Sequence, residues 1–334
     1  MAFRVFWYAP GGGLGHATRA LAILRHLRPC VPEAEIVLAL TTPYIQGAIL
    51  QGLTVLRLPS AFEWQAAGGA EQAAALVRAL FTALGPFDLL VVDTFADGLQ
   101  GELTPEVLEL ARRRVLIYRI GGVDPETSPA WPLYHRILAP YPETPHPAAE
   151  AVGIVLIRQP EEALSRTDAR RRLGLDPEAP EPVILGLHAG DPGEVSSFFE
   201  LIRAACETLP SPWWLRLLTP LPTTENYGAE HAHLYPAAEV LPAADLVLTG
   251  AGYNSHAELS AFGLRGLYCP FMRSHDSQWT RLLPEQPRFE LTLEPAALTA
   301  LMQNALRQPP PPPLPPEWCD GARRAAACLV EFLK

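Results

Sequence analysis

The sequence is short of positive charge. Its 334 residues contain 26 lysines and arginines against 36 aspartates and glutamates, which gives a formal net charge of -10. Residues 112–114 and 170–172 are its tight basic runs, and solvated helix faces explain both. Because nucleic-acid binding needs a basic patch, we expect no nucleic-acid partner.

Paired cysteines and long apolar runs are also missing. The five cysteines stand at positions 30, 206, 269, 319 and 328, and none forms a CxxC pair. An odd and scattered set predicts reduced thiols. No apolar run approaches the roughly 20 residues that span a bilayer, and the N-terminus lacks the layout of a signal peptide. We therefore expect a soluble, cytoplasmic protein, with peripheral membrane contact left open.

Strands of the buried type alternate with helices along the chain, which predicts an α/β fold with parallel sheets covered on both faces. The length favours two domains. We expect an N-terminal domain over residues 1–150 and a C-terminal domain over 151–316, with a proline-rich stretch at 141–148 near their boundary. Residues 309–316 are nearly all proline and predict a semi-rigid spacer. A C-terminal helix over 317–334 follows, which can cross back to the N-terminal domain.

Apolar periodicity also predicts the individual elements. Among them are a helix over residues 105–113, a strand over 115–120, a strand over 154–157 and a last strand over 289–293. A helix over 254–262 is expected to end at a glycine. The sequence contains no short-period repeat.

A glycine-rich turn, GGGLGH, follows the first predicted strand. Gly11 and Gly13 fit the fingerprint of dinucleotide-binding folds, but His16 stands where the third glycine belongs. The next strand is followed by threonines, so the acid that would bind the ribose of NAD is missing. An NAD site is thereby disfavoured, and the turn leaves His16 in the first turn of a helix.

A second glycine turn lies within residues 241–282. An apolar strand ends at Gly250, the chain turns through Gly252, and Asn254 and Ser255 begin a helix. The first N–H groups of a helix are unpaired and point outward, so this arrangement forms a cradle for anions. The Ser255 hydroxyl can add a further donor. We expect the cradle to hold phosphate groups of a ligand.

Three segments together carry a resemblance to a known family: GGGLGHATRALAI, VGIVLIRQPEEALSRTDARRRLGLD and GAGYNSHAELSAFGLRGLYCPF. In this order and spacing they are similar to glycosyltransferases of the GT-B type, in particular to the family 28-like group that includes the GlcNAc transferase of peptidoglycan synthesis. The resemblance spans roughly Val5 to Leu282 and implies two Rossmann-like domains facing a central cleft. It also implies a nucleotide-sugar donor held by the C-terminal domain, an acceptor against the N-terminal domain, and no obligatory metal or other cofactor.

His16 and Asp93 are the candidate catalytic residues. The positive end of a helix dipole lowers the pKa of an imidazole, so a neutral His16 can take the proton of an acceptor hydroxyl. Alternatively, His16 caps its helix or donates a hydrogen bond to the donor. Asp93 ends a strand where α/β sheets gather ligands, and it is an acceptor-site residue, a second base or a loop cap. Arg19 either meets a phosphate or carboxylate bidentately or is solvated, and Gly13 and Gly15 are expected to contact the donor.

Glu258 is the candidate partner of the ribose of the donor. In the resembled family an acid at this helical position pairs with ribose hydroxyls, and a carboxylate can accept from two vicinal hydroxyls. The alternative is a capping box, because Ser255 and Glu258 have the required spacing. In that case Glu258 reaches back to the N-terminus of its own helix.

Two further loops complete the expected donor site. Asp276 and Gln278 resemble the family's segment that contacts the hydroxyls of the donor sugar. His188 and Gly190 lie in the place of its glycine-rich loop near the diphosphate. Here His188 and Asp191 interrupt the usual Gly-Gly-Ser form, which leaves His188 itself to donate to a phosphate.

The sequence thus predicts a hexosyltransferase. It would move a sugar from a nucleotide-diphosphate sugar, expected to be UDP-linked, to an unidentified hydroxyl of a glycan, a lipid-linked molecule or a small molecule. Helix N-termini rather than a metal ion would stabilise the leaving diphosphate. A nucleotide-sugar hydrolase or epimerase and a non-catalytic nucleotide-sugar-binding protein are the alternatives. Donor consumption without an acceptor supports the first, and tight donor binding without turnover supports the second.

Overall fold

The computed structural model describes residues 2–11, 13–42, 53–66, 69–121, 124–210, 212–220, 230–273 and 278–333. The chain divides into two compact units. The first contains Met1–Ile157 together with Glu317–Lys334, and the second contains Arg158–Pro316. The first unit runs past the expected boundary at residue 150 because a short edge strand and the buried segment after it belong to that unit.

Twelve strands and eleven α-helices form the described parts of the two units. The strands are β1 (Arg4–Ala9), β2 (Glu35–Leu40), β3 (Thr54–Arg57), β4 (Phe87–Asp93), β5 (Ala111–Ile117), β6 (Arg136–Ala139), β7 (Glu150–Ala151), β8 (Val183–Leu187), β9 (Trp214–Thr219), β10 (His231–His233), β11 (Leu246–Gly250) and β12 (Gly266–Cys269). The helices are α1 (Leu14–Cys30), α2 (Ala61–Ala66), α3 (Ala70–Leu84), α4 (Pro105–Leu108), α5 (Arg166–Arg172), α6 (Pro192–Glu207), α7 (Tyr253–Phe262), α8 (Gln278–Arg281), α9 (Pro295–Arg307), α10 (Pro316–Cys319) and α11 (Gly321–Leu333).

The first unit is built on a parallel sheet with the strand order β3-β2-β1-β4-β5-β6-β7. Strand β1, between β2 and β4, is buried on both faces, which fits the unbroken apolar run from Val5 to Ala9. Val5 lies between Ile36 of β2 and Leu89 of β4. The strand order reverses at β1, so the loops after β1 and β4 leave a crevice at the carboxyl end of the sheet.

The second unit repeats this plan with the order β10-β9-β8-β11-β12, and its neighbouring strands are also parallel. Here the order in which successive strands join the sheet reverses between β8 and β11. The loop after β8 and the glycine turn after β11 therefore flank the carboxyl-end crevice of this sheet. The expected α/β fold with two Rossmann-like sheets is confirmed.

The C-terminal helix belongs to the first unit, so it crosses back as the sequence allowed. The backbone N–H of Gly321 donates to the Ile154 carbonyl at 3.0 Å, and the Ile154 N–H donates to the Trp318 carbonyl at 2.6 Å. A side chain at Gly321 would place its Cβ 2.2 Å from the Gly153 carbonyl oxygen, so only glycine permits this approach. The prediction of a strand over 154–157 is wrong, because Ile154 bonds to the terminal segment instead of to a ladder.

Other local predictions also need correction. The helix expected over residues 105–113 ends at Leu108, because Ala111 already pairs with Phe87 of β4. The basic run 112–114 therefore lies on β5 rather than on a solvated helix. The prediction of a strand over 289–293 is wrong, because those residues form no strand and one isolated bridge, between Tyr268 and Arg288, precedes them.

The second basic run does lie on a helix, α5, but its face is not fully solvated. Arg170 is only 5% exposed. Its guanidinium donates to the carbonyls of Ala179 and Glu181 and faces Asp245 at 3.4 Å.

Among the described residues, no helix is long and apolar enough to cross a membrane.

Candidate functional site

His16 lies at the crevice of the first unit, in the first turn of α1. This helix starts after Gly13, the N-cap residue, which has no side chain to cap the helix. The His16 Nδ1 atom is 2.6 Å from Asp93 Oδ2, and the side chains are 16% and 0% exposed. The imidazole also stacks on Phe95, with 5.3 Å between ring centroids. The loops after β1 and β4 thus bring the two candidate catalytic residues into direct contact.

Asp93 is held as a carboxylate by its neighbours. Arg19 donates through Nε to Asp93 Oδ1 and through Nη2 to Oδ2, both at 2.6 Å. Burial alone would raise the pKa of Asp93, but the charge of Arg19 and the bond to His16 hold it well below its usual value. Arg19 is therefore neither solvated nor placed to bind a phosphate, since its fork is occupied by Asp93.

The ionised Asp93 fixes the state of His16. An ionised carboxylate only accepts hydrogen bonds, so His16 donates through Nδ1 and Nε2 carries the lone pair. Burial lowers the pKa of His16, and the bond to Asp93 only partly offsets this. At neutral pH the imidazole is thus neutral, with an unprotonated Nε2 that can accept a proton. The helix-cap alternative is not supported, because the ring bonds to Asp93.

The backbone around this pair is shaped by contacts that the sequence does not reveal. Thr94 has φ 72°, a conformation that β-branched residues rarely adopt, and its hydroxyl lies 2.8 Å from Arg19 Nη2. Gly11 exchanges two 2.7 Å hydrogen bonds with the Thr41 hydroxyl. A Cβ at Gly11 would lie 2.1 Å from His16 Cδ2, so the glycine makes room for the imidazole.

Replacing Arg19 with methionine should strongly destabilise the first unit. The change leaves the carboxylate of Asp93, which is 0% exposed, buried without its main partner. We expect the free energy of unfolding to fall by about 3–5 kcal/mol, measured by urea denaturation. The control is Arg4→Met, because Arg4 pairs with Glu35 at 3.0 Å on the surface and should cost less than about 1 kcal/mol. Equal losses in the two variants would contradict this account of Asp93.

The glycine turn of the second unit is open to a ligand. Gly250 ends β11, and Gly252 is the N-cap of α7 without a side-chain cap. A Cβ at Gly252 would meet no atom within 4 Å. Asn254 and Ser255 lie in the first turn of α7, as predicted. The first N–H groups of a helix, together with its dipole, can bind an anion.

Glu258 does not form the capping box that was the alternative to ribose binding. Because α7 begins at Tyr253, Ser255 is already inside the helix, and Glu258 lies a turn too late to reach the N-cap. Glu258 makes no hydrogen bond or ion pair with any residue in the described ranges. Burial raises the pKa of its carboxyl to about 7. A half-buried acid without a partner is a candidate to accept hydrogen bonds from a ligand.

The loop after β8 is engaged internally. His188 stacks on Phe271 with 4.3 Å between ring centroids, and its Nε2 lies 3.4 Å from Glu194 Oε2. The Asp191 side chain caps α6 by accepting from the Gly193 N–H at 2.8 Å. Carboxylates thus already occupy the first turn of α6, and this geometry does not favour a phosphate contact by His188.

Gly190 packs against the side chains of His188 and Glu194. A Cβ on it would lie 2.4 Å from Glu194 Oε2 and 2.5 Å from His188 Nε2. Gly190 therefore has a packing reason to lack a side chain. Its predicted contact with the donor remains a prediction.

The last two donor-site candidates follow β12. Asp276 lies outside the described residues. Gln278 is 6% exposed, and its Oε1 accepts from the Phe271 N–H at 2.9 Å. This bond ties α8 to the segment just after β12, and the predicted contact of Gln278 with a sugar remains a prediction. Gly13 and Gly15, the other predicted donor contacts, lie beside His16 in the first unit.

The described residues contain no group of three or more histidine, cysteine, aspartate or glutamate side chains that could hold a metal ion.

One basic side chain that contacts the glycine turn was not nominated from the sequence. Arg281 donates through Nη1 to the Ala251 carbonyl, between Gly250 and Gly252. No local sequence pattern links Arg281 to that turn.

Comparisons with known proteins agree with this architecture. A scan against models of protein families finds no match. A UDP-N-acetylglucosamine–N-acetylmuramyl-(pentapeptide) pyrophosphoryl-undecaprenol N-acetylglucosamine transferase of Clavibacter michiganensis is 26% identical over 288 residues, which cover 80% of this chain and 76% of the relative. The transferase of the same name from Frankia casuarinae is 26% identical over 341 residues, which cover 89% and 85%.

Solved structures show the same fold. The MurG structure of Acinetobacter baumannii is 15% identical, with a TM-score of 0.61 and 99% of each chain covered. The glycosyltransferase of kitacinnamycin is 14% identical, with a TM-score of 0.66 and 100% of each chain covered. A putative UDP-N-acetylglucosamine 2-epimerase of Listeria monocytogenes is 12% identical, with a TM-score of 0.62 and coverage of 100% and 96%. The chain therefore has the GT-B fold that its sequence predicted, and it is similar to the family 28-like group that includes the peptidoglycan GlcNAc transferase.

Proposed function

We propose that this protein transfers a sugar from a UDP-linked donor to the hydroxyl of an acceptor, without a metal ion. The contact between His16 Nδ1 and Asp93 Oδ2, at 2.6 Å, carries the proposal. It gives a neutral imidazole whose Nε2 is ready to accept a proton. A base of this kind is what a hydroxyl needs to attack an anomeric carbon.

The transfer is a single displacement. Nε2 of His16 takes the hydroxyl proton as the acceptor oxygen bonds to the anomeric carbon, while the bond from that carbon to the diphosphate oxygen breaks. The electron pair of the broken bond stays on the diphosphate. Asp93 stabilises the imidazolium that forms, because its carboxylate accepts the Nδ1 proton throughout.

The second unit supplies the donor-binding groups. The open first turn of α7, with Gly252, Asn254 and Ser255, would face the diphosphate and stabilise its growing charge. Glu258 would accept from the two ribose hydroxyls, which explains an acid that has no partner among the described residues. Gln278, and Asp276 beside it in the sequence, would bind the hydroxyls of the sugar.

The relatives suggest which substrates to test first. Their names specify UDP-N-acetylglucosamine as donor and a lipid-linked muramyl pentapeptide as acceptor. We propose UDP-N-acetylglucosamine as the first donor and a lipid-linked sugar as the first acceptor class. An acceptor of that class would place the protein at a membrane surface, in keeping with peripheral membrane contact.

A thermal-shift panel of UDP-, GDP- and dTDP-sugars tests the proposal. A ligand at 100 times its dissociation constant stabilises a protein by about 2.7 kcal/mol, which corresponds to a shift of several degrees. We expect UDP-sugars to give the largest shift. His16→Ala is the matched control and should keep that shift, because His16 serves the chemical step. No shift with any sugar nucleotide would contradict the proposed function.

A further inference from the structure

We propose that Nδ1 of His188 accepts a hydrogen bond from a hydroxyl of the sugar that the donor carries. This contact rests on the proposed function and adds a binding group on the sugar side of the diphosphate. It takes the place of the phosphate contact that the sequence left open for His188. The reason lies in how this one side chain is held at the crevice of the second unit.

A chain of three side chains fixes the orientation of His188. Arg273 donates to Oε1 and to Oε2 of Glu194, both at 2.6 Å, and Glu194 Oε2 lies 3.4 Å from His188 Nε2. Burial alone would raise the pKa of Glu194, but its bonds to His188 and Arg273 lower it to about 2. The ionised carboxylate can only accept hydrogen bonds, so His188 carries its proton on Nε2.

The other ring nitrogen of His188 then carries a lone pair. Burial lowers the pKa of His188, and the bond to Glu194 offsets only part of this, so the imidazole is neutral at neutral pH. Nδ1 makes no hydrogen bond with any residue in the described ranges, although the side chain is only 7% exposed. A buried acceptor without a donor costs free energy, and a hydroxyl of a ligand would supply that donor.

Nδ1 faces the glycine turn at the end of β11. A Cβ at Gly250 would lie 3.4 Å from His188 Nδ1 and 3.4 Å from Phe271 Cδ2, so a side chain there would cover both rings. Glycine leaves that side of the stacked rings uncovered. Phe271 also donates its backbone N–H to Gln278, the residue that the proposed function assigns to the sugar. His188 therefore lies next to the segment expected to bind the sugar.

A sugar hydroxyl suits this nitrogen better than a phosphate does. At neutral pH the oxygens of a diphosphate are mainly acceptors, as Nδ1 is, and the negative charge of Glu194 lies at the other end of the same ring. The ribose hydroxyls are assigned to Glu258 in the proposed function. The sugar is the remaining part of the donor that carries hydroxyls beside the diphosphate, and a hydroxyl can donate to a neutral imidazole.

The first unit contains a similar arrangement. There Arg19 donates twice to Asp93, and Asp93 fixes the tautomer of His16. Each histidine follows the first strand of its unit, β1 or β8. The rings are turned differently, because His16 faces its carboxylate with Nδ1 and His188 with Nε2. An arginine and a carboxylate thus leave one imidazole nitrogen as an acceptor in each unit, which favours a ligand contact for His188.

The test compares UDP with UDP-N-acetylglucosamine. Dissociation constants are measured by calorimetry on the full-length protein without an acceptor. His188→Phe keeps an aromatic ring against Phe271 and removes both nitrogens. We expect this variant to weaken UDP-N-acetylglucosamine by about 5–20-fold and UDP by less than about twofold.

His188→Asn and His188→Gln separate the two nitrogens. The amide of asparagine lies near the position of Nδ1, and that of glutamine lies near the position of Nε2. We expect His188→Asn to keep the affinity for UDP-N-acetylglucosamine within about threefold of the wild type and His188→Gln to resemble His188→Phe. Rescue by glutamine and not by asparagine would show that His188 acts only through Glu194, which overturns the inference.

The remaining outcomes separate this contact from the proposed function. If UDP weakens as much as UDP-N-acetylglucosamine in the variants, His188 serves the fold or the diphosphate, and the inference is overturned while the proposed function stands. If His188→Phe does not fold, the comparison of His188→Asn with His188→Gln decides in the same way. A wild type that binds neither ligand would overturn the proposed function itself.

Discussion

Replacing His16 with alanine is expected to lower kcat by roughly 10²–10⁴-fold, the usual contribution of a positioned general base. Donor affinity should stay within about threefold of the wild type, because the groups expected to bind the diphosphate and ribose lie in the second unit. The measurement is the rate of nucleoside diphosphate release at saturating acceptor, with donor binding measured separately by calorimetry.

A matched histidine controls for the loss of an imidazole. His135 is an exposed residue just before the amino end of β6, where its Nδ1 accepts from the Arg114 N–H. His135→Ala should keep turnover near that of the wild type. Turnover of His16→Ala within a few-fold of the wild type would contradict the role of His16 as base.

The pH profile gives an independent check on His16. The active form is the neutral imidazole, and burial lowers the pKa of His16 below its ordinary value of 6.5. The acid limb of kcat/KM should therefore lie below pH 6.5, because activity is lost only when Nε2 becomes protonated. An acid limb well above that pH would assign the base to another group.

Replacing Glu258 with glutamine is expected to weaken donor binding and to stabilise the unliganded protein. The glutamine can accept from only one ribose hydroxyl in place of two, and it lacks the charge that strengthens those bonds. We expect UDP affinity to fall by about 10–100-fold. Stability should rise because the wild type buries a carboxyl that has no partner in the part of the chain that the structure describes.

The sign of the stability change depends on pH. Folding raises the pKa of Glu258 from its ordinary value of 4.5 to about 7. A raised acid pKa costs stability above the folded pKa, and this cost fades as the pH falls toward the unfolded value. Glu258→Gln should thus gain on the order of 1–3 kcal/mol at pH 8 and much less at pH 5, measured by urea denaturation.

An exposed carboxylate provides the control for Glu258. Glu207, at the end of α6, is exposed, and Glu207→Gln should change neither affinity nor the pH dependence of stability. If Glu258→Gln loses stability and keeps its affinity for UDP, the acid serves the fold and not the donor. The wild-type carboxylate accepts hydrogen bonds from the ribose hydroxyls. UDP binding should therefore also weaken as the pH drops below about 7, where Glu258 becomes protonated.

The sequence predicted the parts of each site better than their contacts. A strand, a glycine turn and a helix were correctly expected around His16 and around Gly252, because turn chemistry and apolar runs are local signals. His16 and Asp93 were both nominated, but their hydrogen bond was not foreseen. That contact requires β1 to lie beside β4, and strand order depends on packing between distant segments.

The errors have the same origin. The helix pattern after Pro105 was overridden by pairing of Ala111 with β4, and the strand expected at 154–157 was replaced by bonds to the terminal segment. Arg281 was missed because it meets Ala251 from a helix 30 positions later. Spacing rules within one helix or turn carry no information about such contacts.

The most direct test of the glycosyltransferase assignment is the release of nucleoside diphosphate from UDP-N-acetylglucosamine, measured with and without a lipid-linked sugar acceptor and other hydroxyl acceptors. The account predicts release that depends on an acceptor, is lost in His16→Ala and yields a glycosylated acceptor by mass spectrometry. Donor consumption at the full rate without any acceptor would contradict it and point to a hydrolase or epimerase, and tight donor binding without turnover by any acceptor would point to a binding protein.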